Sequence, residues 1–370
     1  MVQKGLEMMT AKDFQVIDAD AHVVETERTW DFMDPADAKY RPTLEQSPND
    51  PQRQHWVIDG KNRGFRFPTL TDMELQERSS RGRNITTPQA ARELDDVQLR
   101  LKDMDRLGID AQVLHHTLWI EQVAEEPEVE RAICKGWNNW VGDIWKQSKG
   151  RLLWSCVPPW MSIDAAIEEM NIAKENGAVA MTMRPIEGER TILDPYFYPL
   201  YEEAIRLNLT VAVHIANGNP NMVNLLRTPE DPGSAFGIFR IPTVAACHAL
   251  IMSPIPKKFP ELRWGFIEAS AGWVPWVITE AKNRYQGAAR KFPENVLKEY
   301  NIYVTCQTDD DIPYILQCAG EDNIVIGTDY GHFDPSSEVD AISVFKEQGT
   351  ISESAMTKIL RDNPKAMYGL

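Results

Sequence analysis

Short runs of apolar, often β-branched residues alternate along the chain with longer helical segments. We interpret eight of these runs as strands: Val16–Ile17 leading into Asp20 and His22, Asp110–Leu114, Arg151–Val157, Ala178–Met183, Thr210–Ile215, Leu262–Ala269, Ile302–Thr305 and Asn323–Thr328. Strand–helix alternation predicts parallel pairing through right-handed crossovers. Eight such units favour a closed α/β barrel of the (β/α)₈ TIM type, and no G-x-G-x-x-G follows the first strand to favour an open sheet.

The predicted helices between the strands carry their own stop signals. Helices are expected at Asp95–Leu107 before Gly108, at Ile163–Asn176 before Gly177, and at Tyr198–Asn208. The 370 residues fit one barrel domain with insertions, which we place at residues 14–370.

A polar stretch at residues 26–90 follows the first strand and is longer than an ordinary βα loop. We predict that it forms a cap over the barrel mouth rather than a separate domain. Its arginines form either a solvated basic face or a recognition site for a substrate carboxylate; they are Arg63, Arg66, Arg78, Arg81 and Arg83.

Charge and cysteine content narrow the class of partner and the compartment. The net charge is −16, from 55 acidic and 39 basic residues, which argues against a nucleic-acid partner. The five cysteines are odd in number and lack a C-x-x-C pair, as expected for reduced thiols. Residues 1–13 have no signal-peptide core, and no run approaches the ~18 apolar residues of a membrane span. We therefore predict a cytoplasmic protein without a membrane partner.

The histidines are concentrated near predicted strand ends. Of seven, His22, His115, His116 and His214 lie at or near the carboxyl end of a strand, and His332 lies just past one. In a barrel this rim is where catalytic residues gather. The remaining two, at positions 55 and 248, lie outside the pattern and are interpreted as structural.

Side-chain alternation predicts which of these residues meet. Residues two apart on a strand share a face, so Asp18, Asp20 and His22 are expected to point the same way, with Asp18 one layer deeper. By the same rule, the inward-facing residues of strands five, six and eight each end in one polar side chain. These side chains are His214, Glu268 and Asp329. Buried polar groups at such positions are costly unless paired or bound to a cation. The four strand ends therefore predict a metal site.

Three segments resemble a known family. Val16–Glu25 (VIDADAHVVE), Phe259–Pro275 and Asn323–Asp334 resemble amidohydrolase-related (amidohydrolase 2) proteins of the aminocarboxymuconate-semialdehyde decarboxylase type. The resemblance extends from about Phe14 to Leu370. Its motifs are specific for the superfamily and much less so for a reaction.

The resemblance implies a divalent metal held by Asp20, His22, His214 and Asp329. Two departures stand out: the first pair is Asp-x-His rather than His-x-His or Glu-x-His, and Glu268 replaces the family's catalytic histidine. Strand four offers no lysine, which argues against a carbamate-bridged pair of ions. The carboxylates suit Mn or Fe at least as well as Zn. Further candidate ligands, enough for a second ion, are Glu25, Glu268, His332 and either His115 or His116.

The sequence leaves three functions open. The first is hydrolysis or decarboxylation of a small, carboxylate-bearing substrate, with a metal-bound water, Glu268 as acid or base, and Asp329 shared between metal and water. In it, Arg184 either orients the anionic substrate or forms a structural ion pair. The second is a dinuclear Fe or Mn non-haem oxygenase that hydroxylates C–H bonds. The third is a non-catalytic metal-binding partner subunit.

Aromatic residues suggest two further contacts. Among the tryptophans after strands two, three and six, one or two are expected to stack on the substrate; these are Trp119, Trp160, Trp273 and Trp276. We also expect an oligomer, either a homodimer or a hetero-oligomer with a paralogous subunit. The helix around Trp137–Trp145 is a candidate for its apolar contact.

Overall fold

Eight parallel strands form the central sheet, and each pairs with the next along the chain. The computed structural model describes residues 12–47, 50–65, 71–80, 82–227, 235–334 and 336–370. The strands are β1 (Ile17–His22), β2 (Ala111–His115), β3 (Leu152–Cys156), β4 (Ala178–Met183), β5 (Thr210–His214), β6 (Trp264–Ile267), β7 (Ile302–Cys306) and β8 (Ile324–Ile326).

Backbone hydrogen bonds bring the last strand back to the first. The Asp329 N–H donates to the Asp20 carbonyl at 2.9 Å, and the His22 N–H donates to the Tyr330 carbonyl at 2.8 Å. The sheet is therefore a nearly closed barrel, and the predicted (β/α)₈ fold is confirmed, with all eight predicted strands present.

Helices surround the barrel. The main ones are α1 (Val97–Leu107), α2 (Pro127–Gln147), α3 (Ile163–Glu175), α4 (Tyr198–Arg206), α5 (Ile241–Met252), α6 (Val274–Gly287), α7 (Ile312–Ala319) and α8 (Ala341–Gln348). Shorter helical segments are Leu118–Ile120, Pro195–Phe197, Pro220–Leu226, Phe236–Arg240, Ile255–Lys258, Val296–Glu299, Glu353–Thr357, Lys358–Asp362 and Asn363–Tyr368. A two-stranded hairpin follows β4 at Ile186–Glu187 and Arg190–Thr191.

Local signals set the predicted helix ends. The Asp96 side chain accepts from the Leu99 N–H and caps the start of α1. At its end, Gly108 takes a left-handed conformation with φ 70°, which glycine adopts without steric cost. Gly177, after α3, has φ 91°, and a Cβ there would lie 2.2 Å from the Trp145 ring. Both predicted glycine stops are confirmed.

The amino-terminal end of the barrel is closed by apolar packing. Met367 and Tyr368, from the last helix, pack with Phe14 and with inward residues such as Ile17 and Val113. The Tyr368 hydroxyl also donates to a β1 carbonyl, that of Ala19, at 2.6 Å. The candidate polar groups lie at the opposite, carboxyl end of the strands.

A bulge in β1 changes one prediction. The pairing register with β2 shifts between Asp18 and Ala21, so simple alternation does not hold across this segment. The Asp18 carboxylate accepts from Gln112 at 2.9 Å, and Gln112 in turn accepts from Arg100 of the outer helix α1. Asp18 therefore faces the helix layer and does not lie below Asp20 in an inward row.

The segment after β1 contains secondary structure of its own. Its elements are the helical turns Glu27–Phe32 and Pro35–Tyr40, the antiparallel strands Thr43–Ser47, Asp50–Ile58 and Lys61–Phe65, and the helices Asp72–Ser79 and Gln89–Arg92. Trp30 and Trp56 pack edge to face, and Trp30 also contacts Trp119, just past β2. The boundaries of the barrel domain at residues 14–370 and of the insertion at residues 26–90 stay predictions. The role of the insertion as a cap over the barrel mouth also stays a prediction.

The arginines of this segment have separate partners. Arg63 pairs with Glu125, Arg83 pairs with Asp309, and Arg78 lies over the Phe333 ring. The other two, at positions 66 and 81, lie outside the described residues.

The tryptophans of the predicted apolar contact on α2 differ in exposure, and Trp145 is half-buried. Trp137 and Trp140 are buried in the core, with Trp137 against Trp154. The oligomer itself stays a prediction. All five cysteines are free thiols, four of them buried. In the described part of the chain, no helix combines the length and apolar character needed to cross a membrane.

Candidate metal centre

Two overlapping groups of potential ligand side chains lie at the carboxyl ends of β1, β5, β6 and β8. The first is Asp20, His22, His214 and Glu268, and the second is His22, Glu268, Asp329 and His332. Within each group the ligand atoms lie within 4.8 Å of one another, and all six residues are buried. Residues up to 312 positions apart in the sequence, Asp20 and His332, thus lie in one cluster.

The two central imidazoles are oriented by backbone carbonyls. His22 Nδ1 is 2.9 Å from the His116 carbonyl, and His214 Nδ1 is 3.3 Å from the Ile215 carbonyl. A ring nitrogen facing a carbonyl must donate, so a neutral imidazole then has a bare Nε2. The two Nε2 atoms face each other at 3.1 Å. Two lone pairs at this distance repel unless a proton or a metal ion lies between them.

Carboxylate oxygens complete the first group. Asp20 Oδ1 is 3.4 Å from His22 Nε2 and 3.5 Å from His214 Nε2, and the Glu268 Oε2 distances are 3.4 and 3.2 Å. Ligands bound at about 2.1 Å to one first-row ion lie roughly 3.0–3.4 Å apart. Asp20 Oδ1 also has no hydrogen-bond donor among the described residues. The donor set therefore fits a divalent cation.

Burial and like charge make this cluster electrostatically costly without a cation. Burial raises the pKa of Glu268 well above its ordinary value, and the charges of Asp329 and Asp334 raise it further. Burial has the opposite effect on His22 and lowers its pKa, because burial disfavours the charged imidazolium. Burial would raise the pKa of Asp20, but its contacts with His214 and His22 outweigh this and lower it.

Both ring nitrogens of His332 have a polar neighbour. Its Nδ1 lies 2.8 Å from Asp329 Oδ1, and its ring stacks on His22 at 3.8 Å. Its Nε2 lies 2.8 Å from the Thr117 hydroxyl, which itself donates to the Val23 carbonyl at 2.7 Å. Because a hydroxyl has one hydrogen, Thr117 accepts from His332 Nε2–H. The His332 Nδ1 atom therefore faces Asp329.

Two serines hold the carboxylates. Ser337 donates to Asp329 Oδ2 at 2.6 Å. Ser336 Oγ lies 2.5 Å from Asp334 Oδ1 and 3.0 Å from Glu268 Oε1. Its single hydrogen cannot serve both, and the shorter contact is the one with Asp334. Hydrogen bonds to both carboxyl groups then require a proton on one of them, and burial raises the pKa of Glu268.

The backbone turns sharply where the carboxylates leave their strands. Glu268 has φ 64° and Asp329 has φ 52°, in the left-handed region that non-glycine residues seldom adopt. The Glu268 N–H is held by the Thr305 hydroxyl at 2.8 Å. Strain of this kind concentrates at functional sites. Strand alternation predicted that both side chains point inward, but a turn just after the strand is what directs them.

Two predicted site residues are held elsewhere. Glu25 Oε1 accepts from the Thr117 N–H and from the Trp137 indole N–H, both at 3.0 Å, and Glu25 belongs to neither ligand group. Arg184 forms a buried ion pair with Glu187 at 2.5 Å and donates to the Glu121 carbonyl. The contacts of Arg184 are those of the structural ion pair, and its substrate role stays a prediction.

The remaining histidines also lie outside the two groups. His115 and His116 are buried beside the cluster, and the His116 Nε2 atom contacts the Thr182 hydroxyl at 3.2 Å. Burial lowers the pKa of His115 to about 3.

Several contributing residues gave no signal in the sequence. Thr117, Ser336 and Ser337 are ordinary loop residues until folding brings them against His332, Glu268 and Asp329, in that order. Asp334 ends a recognised motif, but its effect on Glu268 depends on a turn. Only the position of Asp334, two residues after His332, could have drawn attention to it.

Comparison with known proteins agrees with this architecture. A family model described as amidohydrolase matches residues 17–370. An amidohydrolase from Mycobacterium avium subsp. paratuberculosis K-10 has a similar structure, with 20% identity and a TM-score of 0.76, over 97% of this chain and 98% of that one.

Two further structures are similar over nearly the whole chain. A 5-carboxyvanillate decarboxylase from Novosphingobium aromaticivorans, solved with manganese and 4-hydroxy-3-methoxy-5-nitrobenzoic acid, shares 16% identity with a TM-score of 0.65, over 100% of both chains. A 4-oxalomesaconate hydratase from Rhodopseudomonas palustris shares 16% identity with a TM-score of 0.61, over 96% of this chain and 95% of that one. At these identities the likeness shows the fold alone.

Proposed function

The chain belongs to the amidohydrolase family, and on that premise we propose that it is a divalent-metal-dependent decarboxylase acting on a small organic acid. The observation that carries the metal part is the pair of Nε2 atoms of His22 and His214, 3.1 Å apart between the carboxylates of Asp20 and Glu268. The feature that favours decarboxylation is the buried Glu268 carboxyl, whose pKa is raised by burial and by the charges of Asp329 and Asp334.

Asp20, His22 and His214 would hold the ion, with Glu268, Asp329 and His332 beside them. Mixed carboxylate–imidazole sets suit zinc, manganese and iron. When bound, the ion would act as a Lewis acid that polarises a carboxylate or carbonyl of the substrate. A structurally similar decarboxylase contains manganese, which supports a metal of this group.

Glu268 is the proposed general acid. In a decarboxylation the C–C bond to the carboxylate breaks, carbon dioxide leaves, and the electron pair stays on the substrate carbon. That carbon then takes a proton, which Glu268 can supply from Oε1 when its carboxyl is protonated; burial and the charges of Asp329 and Asp334 raise the pKa of this carboxyl. Ser336 and Asp334 lie next to this oxygen and can return a proton to it.

Hydrolysis places the opposite demand on Glu268. A general base must begin without its proton so that it can take one from the attacking water. The burial of Glu268 and the neighbouring charges of Asp329 and Asp334 favour the protonated form. Decarboxylation is therefore the better match, and hydrolysis is the competing outcome of the test.

The test is carbon dioxide release from a panel of aromatic and aliphatic carboxylic acids by protein reconstituted with Zn²⁺, Mn²⁺ or Fe²⁺. We expect metal-dependent release by the wild type and a loss of about 100-fold or more in Glu268→Gln. The matched control is Glu169→Gln, a buried glutamate on α3 bonded to Asn138, which should stay active. Cleavage of the corresponding esters or amides without carbon dioxide release would contradict decarboxylation.

A second candidate is an oxygenase with two metal ions, favoured by one observation. The two ligand groups share His22 and Glu268 and together offer three imidazoles and three carboxylates, more than one ion requires. Elemental analysis of protein purified without added metal separates the candidates. About two equivalents of iron or manganese, with turnover only in air, would support the oxygenase. One equivalent, with activity unchanged under anaerobic conditions, would exclude it.

A further inference from the structure

Arg240 is a cationic side chain beside the metal centre that sequence analysis did not single out. It ends the five-residue π-helical turn Phe236–Arg240, which leads into α5. Turns of this type occur mostly as single-turn bulges inside helices and are frequent at functional sites. We propose that Arg240 is a specificity-determining residue that binds an anionic group of the substrate. The proposal rests on the function proposed above for the same site.

The contacts of Arg240 with the described residues leave most N–H groups of its guanidinium available to a ligand. Arg240 Nη2 donates to Ser336 Oγ at 3.0 Å, and that hydroxyl lies 3.0 Å from Glu268 Oε1. One hydroxyl therefore separates the guanidinium from the proposed general acid. An arginine has five N–H donors, and within the described parts of the chain this one forms no ion pair.

Other arginines near the barrel mouth are neutralised by carboxylates. Arg184 pairs with Glu187, Arg227 with Glu121, and Arg83 with Asp309. Arg240 differs from them because it is half-buried and has no carboxylate partner among the residues that the structure describes. A planar guanidinium matches a carboxylate in a two-point hydrogen bond, so an incoming organic anion is the partner that its geometry fits.

An apolar surface lies beside the guanidinium. Ile238 and Phe239, the two residues before Arg240, pack with Ile215, Ala269 and the half-buried Trp273. Two of these residues directly follow candidate ligands, because Ile215 comes after His214 and Ala269 comes after Glu268. The Trp273 indole N–H has no hydrogen-bond acceptor among the described residues. A buried apolar cluster thus adjoins the cation, and this combination suits an acid with a hydrophobic or aromatic body.

The chemistry of decarboxylation decides which anionic group Arg240 binds. A carboxylate that leaves as carbon dioxide loses its charge during the reaction. An ion pair to that group would stabilise the substrate more than the transition state and slow the step. Arg240 is therefore assigned to an anionic group that remains in the product, so the product also binds through Arg240.

Product-like acids provide the test. Binding of benzoate, 4-hydroxybenzoate, cinnamate and hexanoate is measured by calorimetry on metal-loaded protein, each against its neutral amide. We expect the wild type to bind at least one acid tenfold or more tightly than the amide. Arg240→Gln should reduce this preference to less than about threefold without weakening the amide. The matched control is Arg227→Gln, which removes an exposed arginine paired with Glu121 and should keep the preference.

Several outcomes overturn the assignment. A wild type without preference for any acid over its amide, or an Arg240→Gln protein that keeps the preference, each contradicts it. If Arg240→Gln does not fold, Arg240→Met replaces it, and an acid preference that stays within threefold of the wild type would likewise contradict the proposal. Metal content is measured in every variant. Absence of bound metal in the wild type, whatever the acid preference, would instead contradict the proposed function.

Discussion

Thr117 determines which nitrogen of His332 faces the candidate metal centre. Its hydroxyl donates to the Val23 carbonyl and accepts from His332 Nε2, while its own N–H is held by Glu25. Glu25, a candidate ligand by sequence, thus acts on the site through Thr117. Hydrogen bonds to the far side of a ligand imidazole orient the ring and increase its basicity.

Removing the hydroxyl of Thr117 should therefore weaken metal binding. We expect Thr117→Val, which keeps the shape of the side chain, to bind Mn²⁺ or Zn²⁺ about tenfold more weakly. Thr117→Ser restores the hydroxyl and should recover most of the affinity. Competition with a chromogenic chelator measures both variants. Equal affinity of Thr117→Val and wild type would show that the contact does not orient the imidazole.

Gly327 is small because Asp20 lies against it. A Cβ at Gly327 would be 2.4 Å from the Asp20 Cβ, an atom close to the backbone that cannot move aside by rotation. Gly327→Ala should displace Asp20 and lower metal affinity about tenfold or more, since ligand positions must be held to roughly 0.5 Å. The control is Gly287→Ala, where a Cβ has no neighbour within 4 Å. Retained metal content after dialysis, equal in both variants, would contradict this explanation.

At the scale of elements, α2 carries a buried carboxyl at its amino-terminal end. Glu130 accepts from the Met161 N–H at 2.7 Å, and burial raises its pKa from 4.5 to about 7. The folded state holds this proton more tightly than the unfolded state. Its contribution to stability is therefore full below about pH 4.5 and is lost as the pH rises through 7.

Glu130→Gln removes the titration and should flatten this pH dependence. Between pH 5 and 8 the free energy of unfolding of the wild type should decrease, relative to that of Glu130→Gln, by on the order of 2 kcal/mol. Thermal unfolding followed by circular dichroism across this range measures the difference. The exposed neighbour variant Glu128→Gln should keep the wild-type profile. Parallel curves for wild type and Glu130→Gln would refute the assignment.

At the scale of the whole molecule, the candidate ligands connect strands that are far apart in the chain. β1, β5, β6 and β8 each contribute at least one side chain to the cluster, so a bound ion links the first strand to the last. A ligand that binds only the folded state stabilises it according to its concentration and affinity. Removing the ion also leaves buried carboxylates without a counter-charge.

Chelation should therefore lower the melting temperature. We expect a decrease of roughly 3–5 °C after dialysis against a chelator, reversed by one of Zn²⁺, Mn²⁺ or Fe²⁺. Differential scanning fluorimetry measures the change. The variant His214→Ala, which lacks a central ligand, should melt at the same temperature with and without chelator. A wild type insensitive to chelation and to added ions would argue against a bound metal.

The fold was predictable because its signals are local. Each strand is a short apolar run, Asp96 caps the start of α1, and Gly108 ends this helix where the pattern predicts. The β1 bulge was not predictable, since it depends on pairing with β2 and on the hydrogen bonds of Asp18 to Thr328. The same is true of Arg184, whose partner Glu187 is set by the turn after β4.

The sequence by itself determined the barrel and the residues at its strand ends, because apolar periodicity and the placement of Asp20, His22 and His214 are properties of short segments. Only the tertiary structure decided how these residues act together. Imidazole orientation, the environment of the Glu268 carboxyl and the contact of Arg240 with Ser336 depend on hydrogen bonds between residues far apart in the chain. Such contacts form only when the barrel closes, and no local pattern specifies them.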